Sequence, residues 1–168
     1  MSRGSDDRGG EKRRTTQRRE TPVAVSACLV GEPCRFDGQA RPLADLGERL
    51  GGAEALPLCP EVLAGLGVPR PPVAFHGGDG RAVLAGEARL LRADGRDVTA
   101  AMIAGARRAA ALIRAAGCRR AILKERSPSC GVYRVHADGE LVPGCGLLAA
   151  LLAQDGVELQ TEEEHRSG

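Results

Sequence analysis

Six cysteines, Cys28, Cys34, Cys59, Cys118, Cys130 and Cys145, are the side chains best able to do chemistry in this 168-residue sequence. Thiolates are soft ligands, and several meeting at one point select iron–sulfur clusters, zinc or copper(I) over magnesium or calcium. A nucleophilic thiol and cysteines that merely pack are the competing readings. Spacing does not choose among them, because no compact C-x-x-C pair is present and Cys28 and Cys34 stand six apart. Turn-forming residues do narrow the field. Gly31 follows Cys28, Pro60 follows Cys59 and Gly131 follows Cys130, so each of these three chain positions can bend tightly around an inorganic centre. Cys118 reads as a small core filler, and Cys145, within Pro143-Gly144-Cys145-Gly146, as incidental. His76 and His136 fall in segments read as loops, with no other ligand type beside them.

The elements that must position these residues alternate between strand and helix. Val23 to Leu29 is a mostly apolar run of buried-strand type, and Ala55 to Cys59 is a second. Leu43, Leu46 and Leu50 are spaced for a short helix that ends at Gly51-Gly52. Pro69 to Pro72 is a rigid extended connector, and Ala82–Leu84 and Ala88–Leu91 read as two short strands. Asp97 is placed to cap a long helix, since Val98, Met102, Ala106, Ala109, Leu112, Ile113 and Ala116 recur every three or four residues up to Gly117. Ala121-Ile122-Leu123 is a third core strand, residues 146–153 a leucine- and alanine-rich helix, and Val157–Leu159 a last strand.

This order predicts an α/β fold: one domain, a mostly parallel sheet with helices on both faces. Ligands in such sheets bind beyond the carboxyl ends of the strands, which is where Cys28, Cys59 and Cys130 fall in the chain.

Composition sets the outer limits. An apolar content of 42% suffices for one packed core over residues 22–160. Residues 1–21 are polar and rich in arginine, and are expected to form a disordered basic tail; residues 161–168 are expected to form a polar fringe. The tail carries most of the small basic excess and only three aromatic residues exist, so a small-molecule partner is expected rather than nucleic acid. No apolar run is long enough to cross a membrane, and a soluble, cytoplasmic protein with reduced thiols is expected.

Five ordered segments carry a resemblance. They are Val25-Ser26-Ala27-Cys28-Leu29-Val30-Gly31, Cys34-Arg35-Phe36-Asp37-Gly38, Cys59-Pro60-Glu61-Val62, Pro69-Arg70-Pro71-Pro72, and Ile122 to Gly131 with its Ser127-Pro128-Ser129-Cys130 turn. Together they resemble the thiouracil desulfidase family, formerly a bacterial domain of unknown function. The resemblance implies a [4Fe-4S] cluster held by Cys28, Cys59 and Cys130, with one iron left open to the thiocarbonyl sulfur of a thionucleobase. It further implies that Glu61 is the general base for an attacking water and that Ser127 hydrogen-bonds substrate or water. Cys34 is a possible further ligand. Phe36 and Asp37 are candidate substrate contacts, although Asp37 also suits a plain turn with Gly38. Phe36 stands where a tyrosine is expected in the family, which keeps a stacking ring and removes a hydroxyl. Lys124 could offset cluster charge or pair with an exposed acid. The activity implied is non-redox conversion of thiouracil to uracil and hydrosulfide. A zinc or thiol binding module, or a cluster protein of sulfur trafficking without that activity, are the alternatives.

Overall fold

The first strand, β1 (Val23–Ser26), is buried at all four positions, as a strand covered on both faces must be. The computed structural model describes residues 21–164, so the expected basic tail, Thr21 apart, and residues 165–168 lie outside the described residues. Strand β1 pairs in parallel with β2 (Ala55–Leu58) on one side and with β5 (Arg120–Leu123) on the other, and β5 pairs in parallel with β8 (Glu158–Thr161). The resulting order is β2-β1-β5-β8. The side on which successive strands are added switches between β1 and β5, the point at which parallel sheets open a crevice at the carboxyl ends of their strands.

Alternation along β1 and β5 sorts their side chains between two cores. Val23, Val25 and Ile122 face the 3-10 turn Ala27–Val30 and the short helix α1 (Leu46–Leu50). Ala24, Ala121 and Leu123 face α4 (Thr99–Ala115) and α5 (Leu147–Gln154). Helix α4 buries Met102, Gly105, Ala106, Ala109, Ala110 and Ile113, the expected stripe; Leu112 instead points outward at 48% exposure. Asp97 Oδ1 accepts the Thr99 N–H at the start of this helix.

A second sheet was not foreseen as such. Strands β3 (Val73–His76), β4 (Arg89–Arg92), β6 (Arg134–Ala137) and β7 (Glu140–Pro143) form a mixed sheet of order β4-β3-β6-β7. Phe75, Leu90 and Val135 from it pack on Met102, Ala106 and Leu147, so α4 and α5 form a layer between the two sheets. His76 and His136 therefore lie in strands rather than loops. Ala82–Leu84 is not a strand but the end of helix α3 (Gly80–Leu84), because Asp79 Oδ1 accepts the N–H groups of Arg81 and Ala82 and starts a helix there.

The chain end is also more engaged than a polar fringe. Thr161 is the last residue of β8, and the buried Arg49 donates to the carbonyls of Thr161 at 2.7 Å, Glu162 at 3.0 Å and Glu164 at 2.8 Å. Among the described residues, no helix is long and apolar enough to cross a membrane.

Candidate active site

Parallel pairing puts Ser26, Leu58, Leu123 and Thr161 at one edge of the first sheet, and the chain leaves that edge through Cys28, Cys59, Lys124 and Glu162. A cavity of about 450 Å³ opens there. Cys28, Cys34, Phe36, Cys59, Glu61, Lys124, Ser127 and Cys130 all line it, together with His136. Asp37 is the one expected site residue outside the lining. Its Oδ1 accepts the Gln39 N–H at 3.0 Å and its Oδ2 lies 3.7 Å from Arg35 Nη2, so its carboxylate shapes the turn at Gly38.

The cysteines divide as their surroundings dictate. All six are free thiols. Burial pushes the Cys28 thiol up to about 11, with the Lys124 and Arg35 cations pulling the other way. Cys34 is pushed up to about 12 by burial first and then by the adjoining Cys59 thiol. Cys59 in turn donates its Sγ–H toward the Cys34 carbonyl at 3.8 Å. Burial also raises the Cys130 thiol, with the neighbouring Ser26 side chain pulling the other way. Cys118 and Cys145 lie in the core between sheet and helices, and Cys145 directs its thiol at Asp79 Oδ2, 3.8 Å away.

Each of the remaining groups is fixed from behind. Helix α2 (Pro60–Leu63) begins straight after Cys59 and carries Glu61 in its first turn. Glu61 Oε1 accepts from Arg70 Nε at 3.3 Å, and Arg70, buried in the proline-flanked connector, also donates Nη1–H to the Gly67 carbonyl at 2.9 Å. The Arg70 amide donates to the Phe36 carbonyl at 2.8 Å, which ties the Cys34–Gly38 turn to the same support. Ser127 Oγ accepts the N–H groups of Ser129 at 3.2 Å and Cys130 at 3.1 Å. With its lone pairs engaged in this way, its own O–H remains to donate into the cavity. Lys124 pairs with Glu162 at 2.7 Å, and the Lys124 amide donates to Ser26 Oγ at 2.9 Å.

The lining suits an anionic, sulfur-rich guest. Arg35, Arg41, Arg70, Lys124 and Arg126 face it against the carboxylates of Glu61 and Glu125. Arg35 Nη1 is buried without a hydrogen-bond partner, a donor left for something the protein itself does not supply. Among the described residues, no three cysteine, histidine or carboxylate side chains converge tightly enough to hold a single metal ion. A zinc site needs such convergence, whereas a multi-iron core takes its thiolates on separate irons. Soft thiols spaced around a roomy cavity with an unsatisfied Arg35 donor therefore fit a cluster better than one ion.

Sequence reasoning missed five participants: Ser26, Arg35, Arg70, Glu125 and Glu162. Ser26, Arg35, Arg70 and Glu125 lie inside the five ordered segments, but none is of a type that by itself signals chemistry there. The two glutamates look like solvated charges in the sequence, and only the fold shows them turned inward.

A cysteine-lined cavity at the carboxyl edge of a parallel sheet defines a thiolate-based ligand site in an α/β protein. The comparison with known families is specific: residues 23–164 match the profile described as 2-thiouracil desulfurase, and the chain belongs to that family. It is 37% identical over 145 residues to the Bacillus subtilis (strain 168) protein named "Uncharacterized protein YbbK", a match spanning 84% of this chain and 96% of that one. A solved structure described as the [4Fe-4S]-dependent thiouracil desulfidase TudS superposes with a TM-score of 0.73 at 38% identity, covering 86% of this chain and 92% of the other.

Proposed function

We propose that this protein is an enzyme that removes sulfur from thiouracil or a close thionucleobase by hydrolysis, at a [4Fe-4S] cluster held by Cys28, Cys59 and Cys130. The observation that carries the reading is that these three thiols, Glu61 and Ser127 line one cavity although they come from distant parts of the chain. Family membership and the [4Fe-4S] dependence stated for TudS support it. Cys28, Cys59 and Cys130 would hold the cluster, which would supply a Lewis acid for the thiocarbonyl sulfur.

The chain's own residues then divide the work. Glu61, aimed by Arg70, takes a proton from the water that attacks the ring carbon. Ser127 donates its O–H to the oxygen entering at that carbon and steadies the tetrahedral arrangement. Phe36 offers a ring face to the base at the cavity mouth. Arg35 holds the buried N–H that an incoming acceptor would satisfy. Water supplies the oxygen that replaces sulfur, and sulfur leaves as hydrosulfide, so no electron is gained or lost.

Hydrosulfide release from 2-thiouracil and 4-thiouracil under anaerobic conditions tests the reading. Glu61→Gln should cut the rate by about 10²- to 10⁴-fold, the range for loss of a general base. Ser127→Ala should lower it as well. Unchanged release by both variants removes their proposed roles, and a loaded protein with no release from either base removes the activity.

A further inference from the structure

We propose that Glu125 is the positioning residue that holds the loop carrying Ser127 and Cys130 in ligand-binding shape, and so governs how firmly a cluster is retained. The proposal rests on the cluster reading above. Glu125 is 2% exposed, at the point where β5 gives way to the loop. Its Oε1 accepts the N–H groups of Val132 at 2.9 Å, Tyr133 at 3.0 Å, Arg134 at 3.1 Å and Arg126 at 3.3 Å. One donor lies at the start of the loop and three at its end, so a single carboxylate oxygen staples the two ends together across residues 127–131.

The charge on this buried group is balanced by amide dipoles rather than by a cation. Lys124, its chain neighbour, spends its ammonium on the Glu125 carbonyl and on Glu162. Charge-assisted bonds of this kind are roughly twice as strong as neutral ones. They also hold an awkward backbone, because Arg126 sits at φ 69, in the left-handed region that a side chain disfavours. Inside the staple, Ser127 Oγ gathers the amides of Ser129 and Cys130, and the Gly131 N–H reaches the Ser127 carbonyl at 2.9 Å. Behind it, Glu162 Oε2 accepts the Glu125 N–H at 2.7 Å, and Arg49 clamps the carbonyls around Glu162.

Nothing in this arrangement requires Glu125 to touch substrate. Its effect passes through the loop to the Cys130 thiol and the Ser127 hydroxyl, as partners that orient metal ligands generally act.

The test is anaerobic reconstitution of wild type, Glu125→Ala, Glu125→Gln and Glu162→Ala with ferrous iron and sulfide. It measures iron and acid-labile sulfide per chain, the visible sulfide-to-iron absorption, iron release to a chelator, and the urea midpoint. Glu125→Ala should hold iron about 10- to 100-fold more weakly, the range of affinity lost with a ligand's orienting partner, and so release it faster than wild type. Glu125→Gln keeps an acceptor oxygen for the amides and should restore most of the difference, and Glu162→Ala should act in the same direction but less. If Glu125→Ala does not fold, Glu125→Gln decides: release a few-fold faster than wild type at an unchanged urea midpoint supports the proposal. Wild-type release rates in both Glu125 variants, with the wild type itself loading normally, overturn the role of Glu125 alone. A wild type that takes up neither iron nor sulfide overturns the cluster reading and this proposal with it.

Discussion

Arg70 shows how much of the candidate site depends on a residue without chemistry of its own. Its guanidinium is buried, bonds Glu61, and stands in a connector whose prolines leave few other amides nearby. Replacing it by methionine keeps volume but leaves the partly buried Glu61 without its partner at the cavity wall. Breaking a fully buried pair from one side costs about 3 kcal/mol or more; the Glu61 carboxylate is 14% exposed, so Arg70→Met should lower the urea midpoint by less than that limit. It should also reduce turnover more than it reduces iron content, since Glu61 is displaced while the cysteines are not. Equal losses in both would mean that Arg70 serves stability only. At this scale the sequence was informative where residue type limits chemistry. The three turn-flanked cysteines line one cavity, and Cys118 lies in the core as its place between helix and strand suggested; Cys145, read as incidental, is buried in the same core. It was silent on Glu125 and Glu162, because burial of a carboxylate is decided by distant amides: no local pattern around Lys124-Glu125-Arg126 separates a staple from a solvated charge.

Helix α2 carries Glu61 just behind Cys59, and its seat is set by one glycine of α4. A Cβ built on Gly105 would collide with the Pro60 carbonyl and stand 2.7 Å from the Ala64 side chain. Gly105→Ala should therefore push α2 outward, at about 1–3 kcal/mol for overpacking. Both urea unfolding and iron retention should register the change, because Cys59 and Glu61 move with the helix. Retention unaffected by a clear loss of stability would show that α2 does not set the ligand position. The periodicity of α4 was legible over nearly its full length, since seventeen residues give the hydrophobic stripe room to repeat. The four-residue strands β3, β6 and β7 were not, being too short for alternation to stand out. At α3 the signal was present but outweighed: Asp79 is a cap residue, and its two amide bonds decide for helix over the apolar run Ala82–Leu84.

At the scale of the molecule, a parallel sheet gathers distant cysteines at one edge because all its strands end there. That gathering was foreseeable from the alternation of elements, whereas the second sheet was not, since its strands come from two separate insertions around α4. The same order explains why α5 is so apolar: its side chains pack into the cores on both sides, whereas α4 keeps an arginine-bearing outer face. The central claim is that Cys28, Cys59 and Cys130 hold one iron–sulfur core, and the most direct test is the iron and acid-labile sulfide bound per chain after anaerobic reconstitution. The account predicts about four of each for wild type and for Cys118→Ser, with a marked loss in serine variants of Cys28, Cys59 or Cys130. Full loading in those three variants, or a wild type that binds one zinc and no sulfide, would contradict it.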